Sequence, residues 1–366
     1  MKLIIEPDDG VAPLLEAIKS AKTSVEIVIF RFDRDDLESA LASAVARGVR
    51  VHALIASISR GDEENLRKLE MRFLEAGITV GRTADDLSRY HDKLLIIDRR
   101  VLYALSFNYT SLDIDQSRGF GVITRNARWV QEAVKLFEAD CLRTRYTPTV
   151  DTFIVSPANS RRTLAMFLKR AKEQLLIYDP EISDEEMLLI LHERAKAGVE
   201  IRVIGRVAGD HQLAVRDLDT LRVHTRTIIR DRQQASVGSQ GLRPNELDAR
   251  REVGLIVSEA RIVKQLIHTF ETDWASRDSE TLKQSSNGQG PRTRTPDEET
   301  QKVAQVLADG LRPLATKVKK AVKQAVAGAG DAVLEDKEVK SALKKVVKKA
   351  VKGAVDEAVD DLRKPS

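Results

Sequence analysis

The chain has 366 residues, enough for two hydrophobic cores, and its 42% hydrophobic and 32% charged residues are typical of a soluble globular protein. The formal net charge of +4 at pH 7 excludes a uniformly basic protein, and the single cysteine, Cys141, excludes an internal disulfide and a cysteine-based zinc site. The opening MKLIIEPDDG has too short an apolar stretch for a signal peptide, and no apolar run approaches the length of a membrane span. We therefore expect a cytoplasmic protein, with peripheral attachment to the inner face of the membrane as the open alternative.

Residues 1–147 alternate between strand and helix patterns. Strands are predicted at the apolar, β-branched segments SVEIVIFRF, VRVHALI, KLLIID, VLYALS and GFGVIT. Helices are predicted at DDLESALASAVARG and NLRKLEMRFLEAG, which both end in glycine, and at RWVQEAVKLFEADCL. Alternation of this kind indicates an α/β domain.

Residues 148–275 repeat this pattern. The segment ALASAVARGVRVHALI has the counterpart ILHERAKAGVEIRVIG, and RGFGVITRNARWVQEAVKLFEADC has the counterpart REVGLIVSEARIVKQLIHTFETDW. We interpret the chain as an internal duplication that produced two similar halves.

The repeat includes residues that carry chemistry. In the first half they follow the pattern HxKxxxxD and continue past the next strand: His91, Lys93, Asp98, Ser106 and Asn108. In the second half the same spacing recurs with His224, Arg226, Asp231 and Ser239. Side chains two apart in an extended chain share a face, so His91 and Lys93 are expected to point the same way, an arrangement that suits an anion. One such match can arise by chance among six histidines, but the second copy argues against coincidence.

The end of the chain has a different composition. Residues 276–296 are rich in Ser, Gln, Asn, Gly, Thr and Arg, which predicts a flexible linker. Residues 297–366 are rich in Ala, Val and Lys and predict a helical tail, with an apolar stripe at Val339, Leu343, Val347, Val351, Val355 and Val359. Residues 312–352 carry a local charge of about +8. The stripe either lies on an anionic membrane surface or packs against protein, within this chain or in another copy.

Both halves resemble the phospholipase D superfamily, which is marked by HxKxxxxD followed by GSxN, twice in one chain. The similarity covers most of residues 1–275 and does not include the tail. It implies an α/β fold of two tandem halves packed with pseudo-two-fold symmetry, and one active site where the two motifs meet. It also implies metal-independent cleavage or transfer at a phosphodiester. Because both motifs lie in one chain, a monomer is expected to suffice for catalysis, and the absence of nucleotide-binding and metal-ligand motifs predicts no cofactor and no metal.

Displacement at phosphorus explains the residue types of the motif. One neutral imidazole attacks and becomes a phosphohistidine, and the other, protonated, gives its proton to the leaving oxygen and later takes one from water or an alcohol. Lys93 and Arg226 are predicted to hold the phosphate. Further hydrogen bonds to the substrate are predicted from Asn108, Ser106 and Ser239.

The two motifs are not equal. Leu105 stands where the family usually has glycine, Arg226 replaces the lysine, and Gly241 replaces the asparagine. Arginine keeps the positive charge, but its planar fork differs in geometry from an ammonium group. The resemblance gives Asp98 and Asp231 a supporting place in the catalytic motif, and helping to end a strand is the alternative for both.

A carboxylate distinguishes the halves. Glu252 stands where the family often has a carboxylate that orients a histidine, in several members the histidine of the opposite half. We therefore predict that His91 is the nucleophile, oriented by Glu252, and that His224 is the general acid and base, with the reverse order left open. The corresponding residue of the first half is Gly119, and the carboxylates that would substitute for it are Asp113 and Asp115.

The motifs indicate a reaction type and leave the substrate open. Phospholipid head groups are the predicted substrate, with an endonuclease acting on DNA or RNA as the first alternative. A catalytically decayed binding or scaffold protein is the second alternative, because the second motif is degenerate. The part of the chain before residue 297 has a net charge of only about +1, and aromatic residues make up 4% of the chain. Both features weigh against nucleic acid, which favours basic surfaces and stacking platforms.

Overall fold

The computed structural model describes residues 1–57, 63–209 and 212–285. The tail predicted at residues 297–366, and the part of the predicted linker beyond residue 285, lie outside the described residues. The last described helix continues to Ser285, so the polar composition that predicted a linker from residue 276 begins inside a helix.

The first half contains eight strands and five helices among its described residues. They are β1 (Lys2–Glu6), α1 (Ala12–Ser20), β2 (Ser24–Ile29), α2 (Asp35–Ala46), β3 (Arg50–Ile55), α3 (Glu63–Glu75), β4 (Thr79–Arg82), β5 (Arg89–Tyr90), β6 (Leu94–Ile97), β7 (Val101–Leu105), α4 (Ser111–Asp115), β8 (Ser117–Thr124) and α5 (Ala127–Leu142).

The second half repeats this order, except that its described residues contain no counterpart of α3. Its elements are β9 (Phe153–Ser156), α6 (Ser160–Lys169), β10 (Gln174–Ile182), α7 (Glu185–Lys196), β11 (Glu200–Val207), β12 (Ala214–Arg216), β13 (Arg222–Val223), β14 (Arg226–Arg230), β15 (Gln234–Gly238), α8 (Pro244–Asp248), β16 (Arg250–Val257) and α9 (Ala260–Ser285).

Each half builds one mixed sheet with the same strand order. The first sheet runs β1-β8-β7-β6-β2-β3-β4, and the second runs β9-β16-β15-β14-β10-β11-β12. The last three strands of each order are parallel to one another: β2, β3 and β4 in the first sheet, and β10, β11 and β12 in the second. The other neighbouring pairs within each order are antiparallel. The predicted α/β duplication is therefore confirmed.

Burial explains why the central strands read as continuous apolar runs in the sequence. Every residue of β2 and of β6 is buried, as expected for strands that are covered on both faces. Helices α2 and α7 both end before a glycine with a left-handed backbone, Gly48 at φ +84° and Gly198 at φ +89°. Glycine adopts this conformation without the steric cost that a side chain brings, which explains the glycine stops seen in the sequence.

The hydrophobic core has a part in each half and a part that joins them. One cluster of buried side chains draws only on residues 4–114, and a second only on residues 154–247. A third cluster contains residues of both halves. At its centre the ring of Tyr178 lies edge-on to Phe120 of the other half at 5.4 Å and to Phe270 at 5.1 Å. Edge-to-face aromatic pairs of this kind add to the stabilisation that comes from apolar burial.

Two short strands are exchanged between the halves. The strand β5 of the first half pairs in parallel with β16 of the second, and β13 of the second half pairs in parallel with β8 of the first. We call β5 and β13 the exchanged strands. Each has only two residues, too few for a periodic pattern, and the sequence did not predict them.

Reciprocal ion pairs accompany the exchanged strands. Arg118 of the first half binds Asp273 of the second through two hydrogen bonds of 2.8 and 2.9 Å. Arg251 of the second half binds Asp140 of the first through bonds of 3.1 and 2.9 Å. The four side chains are 91% or more buried. A buried ion pair is strongly destabilised when one partner is lost, so these pairs tie the two halves together.

No helix among the described residues is both long enough and apolar enough to cross a membrane.

We predict that Asp140→Asn destabilises the protein strongly. The substitution keeps the shape of the side chain but leaves the buried Arg251 guanidinium without its counter-charge, which is expected to lower the free energy of unfolding by about 3–5 kcal/mol. Urea unfolding of the full chain at pH 7 measures the change. The control is Glu64→Gln, which breaks the exposed pair between Glu64 and Lys68 and should cost far less. Equal losses from the two substitutions would contradict the role given to the reciprocal pairs.

Candidate active site

Each motif histidine directly follows an exchanged strand. The main-chain N–H of His91 donates to the carbonyl oxygen of Arg251 at 2.8 Å, and that of His224 donates to the carbonyl oxygen of Arg118 at 3.2 Å. Each histidine is therefore attached to the last strand of the opposite half. Both lie in one buried polar site, since Lys93 and Arg226 each lower the pKa of both imidazoles and His91 also lowers that of His224.

The imidazole of His91 is held by a carboxylate of the opposite half. Its Nδ1 lies 3.0 Å from both carboxylate oxygens of Glu252, and its ring packs edge-on against Phe30 at 4.7 Å. Burial, reinforced by the charges of Lys93 and Arg226, lowers the pKa of His91 well below its usual value. With Nδ1–H donated to Glu252, the neutral ring keeps its lone pair on Nε2, the nitrogen that a nucleophile needs. The predicted pairing of Glu252 with His91 is thus the geometry of the structure.

His224 has a looser carboxylate neighbour. Its Nδ1 lies 3.5 Å from Oδ2 of Asp113 and has no hydrogen-bond partner within the described ranges. Asp113 is therefore the closer of the two substitutes considered for Gly119, because Asp115 forms an ion pair with Arg34 instead. Burial, then the charges of Arg226 and Lys93, lowers the pKa of His224 well below its usual value. The lowered pKa favours the neutral imidazole in the free protein, and the protonated form that the sequence analysis assigns to the proton donor stays a prediction for the substrate-bound state.

The two cations hold the main chain of their own motifs. Nζ of Lys93 donates to the carbonyl oxygen of His91, and Nη1 of Arg226 donates to that of His224 at 2.7 Å. Burial lowers the pKa of Lys93 to about 7. Burial also opposes the charge of Arg226, but the carboxylates of Glu246, Glu252 and Asp179 together outweigh it and raise the pKa of the guanidinium. Of the two motif cations, Arg226 is therefore permanently charged and Lys93 titrates near neutrality.

The motif aspartates lie away from the histidines. Asp98 follows β6, at the end opposite to Lys93, and its carboxylate accepts main-chain hydrogen bonds from residues 22–24 at 2.6 to 3.1 Å. Asp231 follows β14 and accepts the same set from residues 172–174 at 2.8 to 3.1 Å. Both aspartates have left-handed backbones, at φ 54° and 50°. These contacts brace the start of β2 and of β10, so the structure places neither aspartate beside the reacting groups, although the sequence placed both in the catalytic motif.

The two serines are bound to neighbouring strands. The hydroxyl of Ser106 accepts from the main-chain N–H of Phe120 at 2.9 Å, and that of Ser239 accepts from the N–H of Val253 at 3.1 Å. Both serines are fully buried. Their hydroxyls therefore hold β7 to β8 and β15 to β16, and Ser239 also hydrogen-bonds to Glu252. The hydrogen bonds to the substrate stay a prediction.

Asn108 faces the site with an acceptor. Its main-chain N–H and its Nδ2 both donate to Oδ2 of Asp113, at 2.8 and 2.6 Å. Its Oδ1 is buried and has no partner among the described residues. An acceptor suits a hydroxyl group better than an anionic phosphate oxygen, so the structure favours a contact with an O–H group over the predicted phosphate contact.

Three buried residues of the site were missed by the sequence analysis. Glu246 of α8 binds Arg226, Asp179 of β10 has its carboxylate beside Gly241, and Phe30 follows β2 and packs on His91. Only Glu246 had a usable signal, because it stands 133 positions after Asp113, the interval that also separates His91 from His224. The other two are recognisable only from the packed fold.

The carboxylates of the site respond to burial in different ways. Burial, then the charge of Glu246, raises the pKa of Glu252 to about 7, and the same two causes raise that of Asp179 to about 7. Burial opposes ionisation of Glu246 too, but Arg226 outweighs it, and its pKa falls to about 2. The described residues contain no group of three or more His, Cys, Asp or Glu side chains arranged to hold a metal ion.

Comparison with known families identifies the class of the protein. A family model described as "Cardiolipin synthase, PLD-like domain" matches residues 14–141 and 164–274, which together exceed half of the chain. The chain belongs to this family of phospholipase D-like proteins, and the resemblance seen in the sequence is confirmed.

Curated relatives match part of the chain. The mitochondrial cardiolipin hydrolase of Homo sapiens is 30% identical over 170 residues, which cover 46% of this chain and 64% of that protein. The mitochondrial cardiolipin hydrolase of Danio rerio is 31% identical, over 34% of this chain and 56% of that protein. The chain thus spans less than two thirds of the length of these relatives.

Solved structures share the fold. A polyphosphate kinase from Porphyromonas gingivalis superposes with a TM-score of 0.62 at 20% identity, covering 75% of this chain and 50% of that one. A phosphatidylserine synthase from Haemophilus influenzae superposes with a TM-score of 0.58 at 8% identity, covering 75% and 86%. At these identities the similarity shows the fold alone.

We predict that both motif histidines are neutral in the free protein at pH 6, where an ordinary histidine, with a pKa of about 6.5, is mostly protonated. The physical reason is burial beside Lys93 and Arg226. Nitrogen chemical shifts of ¹⁵N-histidine-labelled protein report the protonation state, with His91→Ala and His224→Ala assigning the signals. His91 should show a proton on Nδ1 and a lone pair on Nε2. The urea-unfolded chain is the control, and an imidazolium at either position in folded protein at pH 6 would contradict the account.

Proposed function

We propose that the protein is a phosphodiesterase or phosphatidyltransferase that acts on phospholipid head groups through a phosphohistidine intermediate, without a metal ion. The observation that carries the proposal is the burial of both motif histidines, each bonded to the last strand of the opposite half, with Lys93 and Arg226 near enough to lower the pKa of both imidazoles. Buried cationic side chains stabilise the anionic oxygens of a phosphodiester.

In the first step His91 is the nucleophile. Its Nε2 lone pair attacks phosphorus, the phosphorus–nitrogen bond forms, and the bond to the leaving oxygen breaks. The ring then carries a positive charge, which the carboxylate of Glu252 stabilises through Nδ1–H. The leaving oxygen takes its proton from His224. Because the free imidazole of His224 is neutral, we infer that the bound phosphodiester anion offsets the cations of the site and raises the pKa of His224 enough for it to be protonated.

The second step reverses the roles. A water or alcohol oxygen attacks phosphorus while the neutral His224 takes its proton, the phosphorus–nitrogen bond breaks, and His91 returns to its neutral form. Asn108 supports this step, because its unpartnered Oδ1 would accept a hydrogen bond from the attacking O–H group. His224 is protonated again and ready for the next leaving group.

Several observations support a lipid substrate. The description of the matching family model names a cardiolipin synthase, and the human relative is named mitochondrial cardiolipin hydrolase. The part of the chain before residue 297 is close to neutral in net charge, so its electrostatic attraction for nucleic acid is weak. Contact of the basic tail with an anionic membrane and a cytoplasmic location both stay predictions, as does catalysis by a monomer.

We predict that the full chain, incubated with a chelator, phospholipid vesicles and 1-butanol, forms phosphatidylbutanol. Removal of the nucleophile in His91→Ala should lower the rate by at least about 10³-fold. The matched control is His268→Ala, which removes an exposed histidine of α9 and should leave the rate unchanged. Rapid quenching at alkaline pH followed by peptide mapping should find the phosphate on His91.

Other outcomes would contradict the proposal in distinct ways. Cutting of single-stranded DNA or RNA without any lipid product would indicate the nuclease. Folded protein that acts on neither substrate would indicate a binding or scaffold protein. A phosphate mapped to His224 would reverse the roles of the two histidines.

A further inference from the structure

Three pairs of site residues differ between the halves. At the common interval of 133 positions, Lys93 corresponds to Arg226, Asn108 to Gly241, and Asp113 to Glu246. Read one at a time, the changes at Arg226 and Gly241 suggest decay of the second motif. The structure shows instead that Glu246 contacts both Arg226 and Gly241.

In the first half the carboxylate of Asp113 holds the asparagine. Its Oδ2 accepts from the main-chain N–H of Asn108 at 2.8 Å and from its Nδ2 at 2.6 Å. The ammonium of Lys93 donates to the carbonyl oxygen of His91 and fixes the histidine loop. These contacts define what the second half has to reproduce.

The second half reproduces the two main-chain contacts with different residues. The N–H of Gly241 donates to Oε2 of Glu246 at 2.8 Å, in place of the contact that Asn108 makes with Asp113. Nη1 of Arg226 donates to the carbonyl oxygen of His224 at 2.7 Å, in place of the contact from Lys93. In addition, Nε and Nη2 of Arg226 donate to Oε2 and Oε1 of Glu246, at 3.3 and 3.2 Å.

The glycine is required by this arrangement. A Cβ atom added to Gly241 would lie 2.6 Å from Oε2 of Glu246 and 2.9 Å from Oδ2 of Asp179, closer than real Cβ contacts allow. The carboxylates therefore occupy the space that an asparagine side chain would take. An asparagine at position 241 and the observed position of Glu246 exclude each other.

Charge and length explain why glutamate and arginine occur together. A buried guanidinium cannot release its proton and needs a buried counter-charge, whereas a buried ammonium is able to lose its proton. Glu246, 1% exposed, supplies that charge to Arg226. It is one methylene longer than aspartate, and this extra reach lets one carboxylate contact both the N–H of Gly241 and the guanidinium.

We propose that Glu246 is a positioning residue that keeps the second motif functional, and that Arg226, Gly241 and Glu246 form one interdependent set that replaces the lysine, asparagine and aspartate of the first half. The set holds a permanent cation at the second motif and fixes the loop that carries His224. The activity readout of this inference rests on the proposed function.

The test compares single and combined exchanges toward the first-half set. Arg226→Lys, Gly241→Asn and Glu246→Asp should each lower kcat/KM by about 10²-fold, mainly through kcat, because each displaces the phosphate-binding cation or the His224 loop. The triple variant removes the close approach to Glu246 and leaves only the one to the end of the Asp179 side chain, which is able to shift. It should therefore lie within about tenfold of the wild type, far above the product of the single effects. Glu186→Asp, the same change at a surface ion pair, is the control and should leave kcat/KM unchanged.

A pH profile separates a chemical role from a merely structural one. The charge of Arg226 is permanent, so the site keeps one of its two motif cations above neutral pH. In Arg226→Lys both cations are amines that lose their protons as the pH rises, so activity should fall more steeply on the alkaline side than in the wild type. Thermal unfolding of every variant identifies losses of activity that come from misfolding. The double variant Arg226→Lys/Glu246→Asp serves the same purpose, because it avoids the clash at Gly241.

Binding of inorganic phosphate to the full-length variants, measured by calorimetry, makes the outcome independent of the substrate. If the wild type turns over no phospholipid, the proposed function fails, and the phosphate affinities alone decide this inference. Weak binding by the single variants with recovery in the triple variant supports the interdependent set. Additive losses, a triple variant no better than the worst single one, or an unchanged alkaline limb in Arg226→Lys would overturn it.

Discussion

The exchange of two short strands between the halves is the constraint on which the site depends. Tyr90 pairs with Arg251, and Val223 pairs with Arg118. The residue that follows each exchanged strand, His91 or His224, therefore lies against the opposite half. Strands of two residues are too short to be stable alone. Buried arginine–aspartate pairs and a core shared by both halves hold them in place. The geometry of the site therefore depends on the stability of the interface between the halves.

Burial of charged groups gives the site its chemistry. Two cations and several carboxylates lie in a space that excludes water, where an unpaired charge is costly and the imidazoles lose their protons. The neutral His91 is held by Glu252 and is ready to attack, whereas His224 has only a distant carboxylate and depends on the substrate anion for its proton. One fold repeated twice thus supplies two histidines with different roles, because Glu252 has no carboxylate counterpart at Gly119.

The sequence predicted the features that are local or repeated. Apolar runs and glycine stops predicted most long elements, the two motif copies predicted the duplication, and the family resemblance predicted the pairing of Glu252 with His91. It missed the exchanged strands, since two residues carry no periodic signal, and it missed Phe30 and Asp179, whose places arise only from packing. The resemblance gave Asp98 and Asp231 a supporting role, which agrees with the main-chain groups that their carboxylates bind. The predicted substrate contacts of the two serines stay predictions, because the observed partners of their hydroxyls include main-chain N–H groups of their own halves.

The central claim is that the two imidazoles converge on a single phosphorus atom. A crystal structure of the full chain soaked with tungstate, an anion of the size and charge of phosphate, tests this most directly, because tungsten is located unambiguously by its anomalous scattering. The account predicts one tungsten site with Nε2 of His91 and Nε2 of His224 both within about 3–3.5 Å of the ion or its oxygens, and Lys93 and Arg226 beside it. Tungstate bound to only one histidine, or two ions on separate surfaces, would contradict it.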